Sequence, residues 1–150
     1  MNRILLFGLI IGHLNGKIVT LSPADNWLET LGGPSLNPGD EIVLKTGIYS
    51  EPRRLEISQR GTAKKPIVIR AAKDAKVILK RPNAKQNTIN LAGCQHLVIR
   101  DLEITGGASG IRIGKKGNHL AKFITFENLH IHHVGGVAVT ANYPGEIYES

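Results

Sequence analysis

From Ile67 onward the chain is built of aliphatic residues in pairs spaced two apart, broken by Gly, Asn and Lys. The pairs run Ile67/Ile69, Val77/Leu79, Ile89/Leu91, then Leu97/Ile99, Leu102/Ile104, Ile111/Ile113, then Ile124/Phe126, Leu129/Ile131, Val137/Val139. A period of two marks short strands with one buried face. The pairs form three rounds of three. The last two rounds superpose, Leu97–Ile104 on Ile124–Ile131 at an offset of 27 and Gly110–Ile113 on Gly136–Val139 at 26. A repeat of that length cannot bury its apolar face alone, so it must stack on the next copy as a solenoid. The rival is an antiparallel sandwich, but the strands lack the Asn-Gly or Asp-Gly dipeptides that close tight hairpins. A doubly wound fold is excluded, because no helical period separates the strands. The expected fold is all-β: a right-handed parallel β-helix of about three coils.

A short cap precedes the repeat. Ser22-Pro23-Ala24-Asp25 reads as a helix start, with Ser22 accepting free N–H groups, Pro23 in the first helical position and Asp25 near the positive helix end. Trp27, Leu28 and Leu31 then share a buried side, and Gly32-Gly33-Pro34 ends the helix. Leu36 to Tyr49 follows as a Pro38-Gly39-Asp40 turn, a strand with Ile42 and Leu44 inward, and a second turn and strand at Gly47-Ile48-Tyr49. Before the cap, Arg3 and the eight-residue run Ile4–Ile11 resemble a secretory signal peptide over residues 1–16. The alternative is a first β-strand. On the signal-peptide reading the mature chain, 17–150, is secreted or periplasmic. No segment has transmembrane length.

Composition narrows the partners. The net charge is +7, and Ile57 to Arg100 holds ten Lys/Arg against one acid, Asp74. Such a face concentrates polyanions. Aromatic residues are only 5% of the chain, which argues against a stacking platform for single-stranded nucleic acid; charge alone does not choose between an acidic polysaccharide and nucleic acid as the polyanion. The single cysteine, Cys94, excludes an internal disulfide and Cys-based metal clusters, and reads as a small buried apolar residue. Gly106-Gly107-Ala108-Ser109-Gly110 lacks the Lys-Ser/Thr of a phosphate loop and reads as a tight bend, with Gly135-Gly136 as its counterpart.

Stacking the rounds generates outward columns: Arg70–Arg100–Glu127, Ile78–Glu103–His130 and Lys80–Thr105–His132. Asp101 and Asn128 stack at a bend. The densest titratable segment is Glu127-Leu129 into His130-Ile131-His132-His133. His130, His132 and Glu127 are the candidate catalytic residues, with Glu103 or Glu127 orienting an imidazole for general acid–base work. Two other readings stay open: a two-His metal site completed by Glu103, and an ordinary polar ladder. No HExxH or Cys/His zinc spacing occurs, so no metal site is assigned. Arg70, Arg100, Arg112, Lys80 and Lys115 are the candidate substrate-binding residues.

The Leu36-x-Pro38-Gly39-Asp40-x-Ile42-x-Leu44-x-x-Gly47-x-Tyr49 run, with Gly61-Thr62-Ala63-Lys64-Lys65-Pro66-Ile67-Val68-Ile69-Arg70-Ala71, resembles the opening coils of secreted parallel β-helix proteins. These belong to the pectate-lyase-like superfamily, and the nearest in layout are polysaccharide lyases of the alginate lyase and chondroitinase B type. The resemblance implies a carbohydrate-active protein working on an acidic polysaccharide by a lyase-like reaction. It also implies calcium as cofactor. In that family the catalytic base and the calcium ligands sit on later coils, so neither is carried onto a position here. The superfamily also leaves open a non-catalytic glycan-binding or adhesion solenoid. Glu146-Ile147-Tyr148-Glu149-Ser150 reads as the start of another strand, so the chain is expected to be an N-terminal portion whose uncapped end invites self-association.

Overall fold

The computed structural model describes residues 16–141. The expected signal segment lies outside them apart from Gly16. Thirteen strands wind into three parallel sheets. The first sheet stacks β1 (Ile18–Leu21), β2 (Glu41–Leu44), β5 (Ile67–Ala71), β8 (Gln95–Arg100) and β11 (Lys122–Glu127). The second stacks β3 (Gly47–Ser50), β6 (Val77–Arg81), β9 (Glu103–Gly106) and β12 (His130–His132). The third stacks β4 (Leu55–Ile57), β7 (Ile89–Ala92), β10 (Ile111–Gly114) and β13 (Val139–Ala141). Successive strands of the chain visit the three sheets in turn, which is a parallel β-helix. No helix among the described residues is long and apolar enough to cross a membrane.

The coil count exceeds the three-round repeat. A complete coil, β2–β3–β4, precedes Ile67, and β1 adds a further rung to the first sheet. This coil escapes the repeat because its apolar spacing is different: Tyr49, not an aliphatic pair, fills β3, and β4 follows a turn at Pro52. The interior is the column of inward residues. Ile42, Ile69 and Ile99 align in the first sheet, Leu79 and Ile104 in the second, Ile89 and Ile111 in the third, all buried. Removing each such side chain from water contributes about 1.5–3 kcal/mol. Ile124, Phe126, Leu129 and Ile131, in the last described coil, pack against this core but are only half-buried. Cys94 is fully buried, and burial pushes its thiol up to about 12, which fits a packing role.

The cap forms, with its start displaced. Helix α1 spans Trp27–Gly32, not from Pro23. Ser22 N–H and Oγ–H both donate to Asp25 Oδ2, at 2.6 and 2.7 Å, and Asp25 N–H donates to Ser22 carbonyl at 3.1 Å. That local turn uses the groups expected to cap a helix, so the helix opens at Asn26 without a side-chain cap. Trp27, Leu28 and Leu31 are buried as the amphipathic pattern requires, and Trp27 meets Tyr49 edge-on at 5.6 Å. Tyr49 Oη lies 2.8 Å from both the Leu21 and Lys45 carbonyls, tying the cap to the first coil.

Register holds through the middle coils and shifts at the last strand. Leu97 opposes Ile124, as the repeat predicts. Ile111, however, opposes Val139 rather than Val137. The bend sets this slip. Gly135 N–H donates to the Gly107 carbonyl in the same 27-residue register as His130 N–H to the Leu102 carbonyl, while Ile111 N–H donates to the Ala138 carbonyl, so the later bend holds one extra residue between Gly135 and Val139. A slip of two preserves which face points inward, but it leaves Val137 outside the strand and exposed. At Gly106 φ is +78°, and a Cβ would sit 2.4 Å from the Arg81 carbonyl oxygen, so only glycine fits.

Candidate functional site

The short turn from the first to the second sheet positions the histidines. Arg100 and Glu103 flank Asp101-Leu102; Glu127 and His130 flank Asn128-Leu129. Asp101 and Asn128 both take positive φ, 61° and 46°, a conformation short polar side chains tolerate best. Asn128 Nδ2 donates to Asp101 Oδ1 at 2.9 Å, so the two turns stack as expected. With Leu102 and Ile104 buried beneath, the alternation throws Glu103, Thr105, His130 and His132 outward. All three expected columns are realised: Arg70–Arg100–Glu127, Ile78–Glu103–His130 and Lys80–Thr105–His132.

On the second sheet His130 opposes Glu103, and the His130 and His132 rings lie 4.4 Å apart between centroids. His132 Nε2 sits 2.9 Å from Glu103 Oε1. An ionised carboxylate only accepts, so Nε2 carries the hydrogen. This bond, more than any other influence, holds the Glu103 carboxyl below its ordinary value, with Lys76 at 3.9 Å adding to it. His132 Nδ1 faces His133 Nδ1 within hydrogen-bond reach. Glu103, not Glu127, therefore orients the imidazole: Glu127 lies on the first sheet, in register with Arg100.

The basic residues divide among the faces. On the first sheet Arg70 pairs with Glu41 and also donates to the Ala71 carbonyl, while Arg100 pairs with Asp101 at 3.0 Å. Arg70 thereby ties two coils together, whereas Arg100 is engaged within its own turn. Lys80 is exposed on the second sheet. On the third sheet an open groove of about 190 Å³ is lined by Arg54, Glu56, Asn90, Arg112 and Lys115. Glu56 is paired with Lys116 at 3.1 Å. Among the described residues, Arg54, Arg112 and Lys115 have no ion-pair partner. Asn90 is covered, with its Oδ1 accepting from Asn87 Nδ2 at 3.0 Å. The candidate substrate-binding and catalytic residues thus occupy three faces rather than one cleft. Arg54 was not singled out from the sequence, since it lies in a turn outside the repeat.

Calcium takes six to eight oxygen ligands. Among the described residues, the group of three or more His, Cys, Asp or Glu side chains able to converge is Glu103, His130 and His132. With two imidazoles it does not fit calcium.

Geometry and sequence meet in the comparisons. The chain matches the Chondroitinase B family over residues 34–133 and belongs to that family. It is similar in structure to an alginate lyase from Paenibacillus, with a TM-score of 0.65 and 22% identity over 81% of this chain and 39% of that one. It is also similar to a mannuronic acid specific family 6 polysaccharide lyase from human gut microbiota, with a TM-score of 0.61 and 28% identity over 73% and 25%. A lacto-N-biosidase from Eubacterium ramulus, with a TM-score of 0.66 and 18% identity over 87% and 31%, shares the fold. The chain therefore spans well under half the length of these solved proteins. No curated protein sequence matches it.

Proposed function

We propose that this protein binds a uronate-bearing polysaccharide along its third sheet and takes part in its cleavage by β-elimination. The observation that carries the reading is the groove where Arg54, Arg112 and Lys115 meet without an ion-pair partner among the described residues, in a chain of the Chondroitinase B family. Unpaired cations over a concave strip are what a line of sugar carboxylates requires. They bind the polymer, and they stabilise the charge that develops as the proton beside the carboxylate leaves. Likeness to lyases of alginate and of mannuronic acid polymers supports an acidic glycan as the substrate class. Such polymers lie outside cells, in keeping with the signal-peptide reading of residues 1–16.

The proton acceptor is a separate assignment. His132 has both ring nitrogens engaged, by Glu103 and His133, and exposed His130 stands beside it on the second sheet. Glu127 faces Arg100 on the first. None of the three shares the groove, so a uronate bound there is served by Arg54, Arg112 and Lys115 alone among the residues discussed.

The test is incubation with alginate, pectate, chondroitin and heparin, following the ultraviolet absorbance of the unsaturated product together with glycan affinity by calorimetry. One polymer is expected to bind and yield product. Charge-assisted contacts contribute about 1.5–3 kcal/mol each, so Arg112→Ala with Lys115→Ala should weaken binding at least about tenfold. Binding that depends on Arg112 without product would make the protein a glycan-binding module. Neither binding nor product on any polymer would end the proposal.

A further inference from the structure

The second-sheet cluster has a geometry that neither the fold nor glycan binding requires. One ligand atom from each of Glu103, His130 and His132 lies within 4.8 Å of the others. Two of these residues are on β12 and one on β9, so the group bridges adjacent coils. We propose that Glu103, His130 and His132 form a binding site for a divalent transition-metal ion, best suited to Zn²⁺, which clips the two coils together.

The donor set selects the metal. Two imidazoles and a carboxylate suit Zn²⁺, whereas calcium and magnesium want oxygen alone. Distances agree with such a site after a small closure. Ligand atoms about 2.0–2.1 Å from one tetrahedral ion stand roughly 3.3 Å apart. His132 Nε2 and Glu103 Oε1 are already 2.9 Å apart and need only open slightly. The widest separation must close by about 1.5 Å, which exposed His130 achieves by side-chain rotation.

The surroundings complete the arrangement. Metal-bound imidazoles characteristically donate their other N–H to an acceptor that fixes the ring. His132 Nδ1 faces His133 Nδ1; when the ion displaces the Nε2 proton, the hydrogen between the two rings passes to His132 Nδ1, which then donates to His133 Nδ1, and the displaced proton is taken up at His133 Nε2. No net proton is lost from His132. Lys76, 3.9 Å from Glu103 Oε2, is the one ammonium paired with the cluster's carboxylate among the described residues; it is exposed and swings aside. Three protein ligands leave the fourth tetrahedral position for water.

The experiment uses tag-free full chain, stripped with a chelator and titrated with zinc chloride by calorimetry, with cobalt chloride as a spectroscopic stand-in. One ion per chain is expected, a rise in melting temperature with added zinc, and a visible tetrahedral cobalt spectrum. His130→Ala, His132→Ala and Glu103→Gln should each weaken zinc binding at least about tenfold and abolish the cobalt spectrum. His119→Ala, on the exposed loop after β10, should leave both unchanged. His130→Ala touches only an exposed side chain, so its folding is not at issue. Absence of zinc binding, or binding that survives His130→Ala and His132→Ala, overturns the proposal. The readouts involve no glycan, so the result is independent of the third-sheet reading.

Discussion

The second and third sheets show two ways in which one solenoid assembles chemistry. On the second sheet, Glu103, His130 and His132 meet because equivalent positions of consecutive coils stack in register. On the third, Arg54, Arg112 and Lys115 meet because a turn before β4, a strand and a loop after β10 fold toward one groove. The first arrangement is a consequence of the repeat. The second depends on segments that the repeat does not include. Their charge follows the same division. The second-sheet carboxylate is held locally, by a hydrogen bond from His132 and an ion pair with Lys76, while Arg54, Arg112 and Lys115 have no acidic partner among the described residues. A register-built site is therefore compact and self-compensated, and a loop-built groove retains its charge for a ligand.

That contrast can be broken most forcefully through the shared core. Ile104 is fully buried between Glu103 and Thr105 and aligns with Leu79 and Ile131. Ile104→Ala should cost about 2–5 kcal/mol in urea denaturation. One transition is expected, with zinc and glycan binding lost together, because both faces stand on the same core. Two separate transitions would mean that the sheets are independent units.

The next largest effect separates engaged cations from free ones. Glycan affinity should fall as salt rises, and this dependence should flatten in the Arg112→Ala, Lys115→Ala variant. Arg70→Ala and Arg100→Ala should change affinity less than about twofold while lowering stability by about 1 kcal/mol or less. Equal loss of affinity from all four positions would show that the whole surface, not the groove, attracts the polymer.

Two smaller predictions sharpen the register argument. Asn128→Ala places a Cβ-bearing residue without a local hydrogen bond at φ 46°, and should cost about 1–2 kcal/mol. Asn128→Gly relieves the backbone and should cost less, as thermal melts would show. Glu103→Gln tests the His132 bond. A carboxyl whose folded pKa is depressed adds stability above its unfolded pKa and loses it as pH falls through the folded value. The variant should therefore be less stable near neutrality, by under about 1 kcal/mol for a pair this exposed, and the difference should vanish in acid. A deficit that persists in acid would mean that the bond is not the cause.

Much of this could be read in the residues. The pairing of Leu97 with Ile124 and the three outward columns follow from apolar alternation, since a strand has only two faces and burial decides which is inward. The stacked turn of Asp101 and Asn128 was visible because both residue types tolerate positive φ. What escaped has equally specific causes. Strand β4, which completes a coil with the strands read at Ile42–Leu44 and Gly47–Tyr49, escapes because its Leu55/Ile57 pair stands alone after a bend at Pro52 and outside the repeat. The 28-residue step from Ile111 to Val139 depends on one extra residue in the bend between Gly135 and Val139, a segment with no alternation to fix its register. The helix start moved because Ser22 and Asp25 satisfy each other locally.

The division between the two kinds of information is physical. Periodic burial is local and additive, so the order of aliphatic and polar residues alone settles the β-helix, its inward columns and the meeting of Glu103 with His130. Whether a charged side chain is free or engaged depends on neighbours far away in the chain. Arg70 finds Glu41 and Lys116 reaches Glu56, while Arg54, Arg112 and Lys115 line an open groove. Only the closed coils brought those groups within reach of one another, because Coulomb and hydrogen-bond partners are chosen by distance in space rather than by order along the chain.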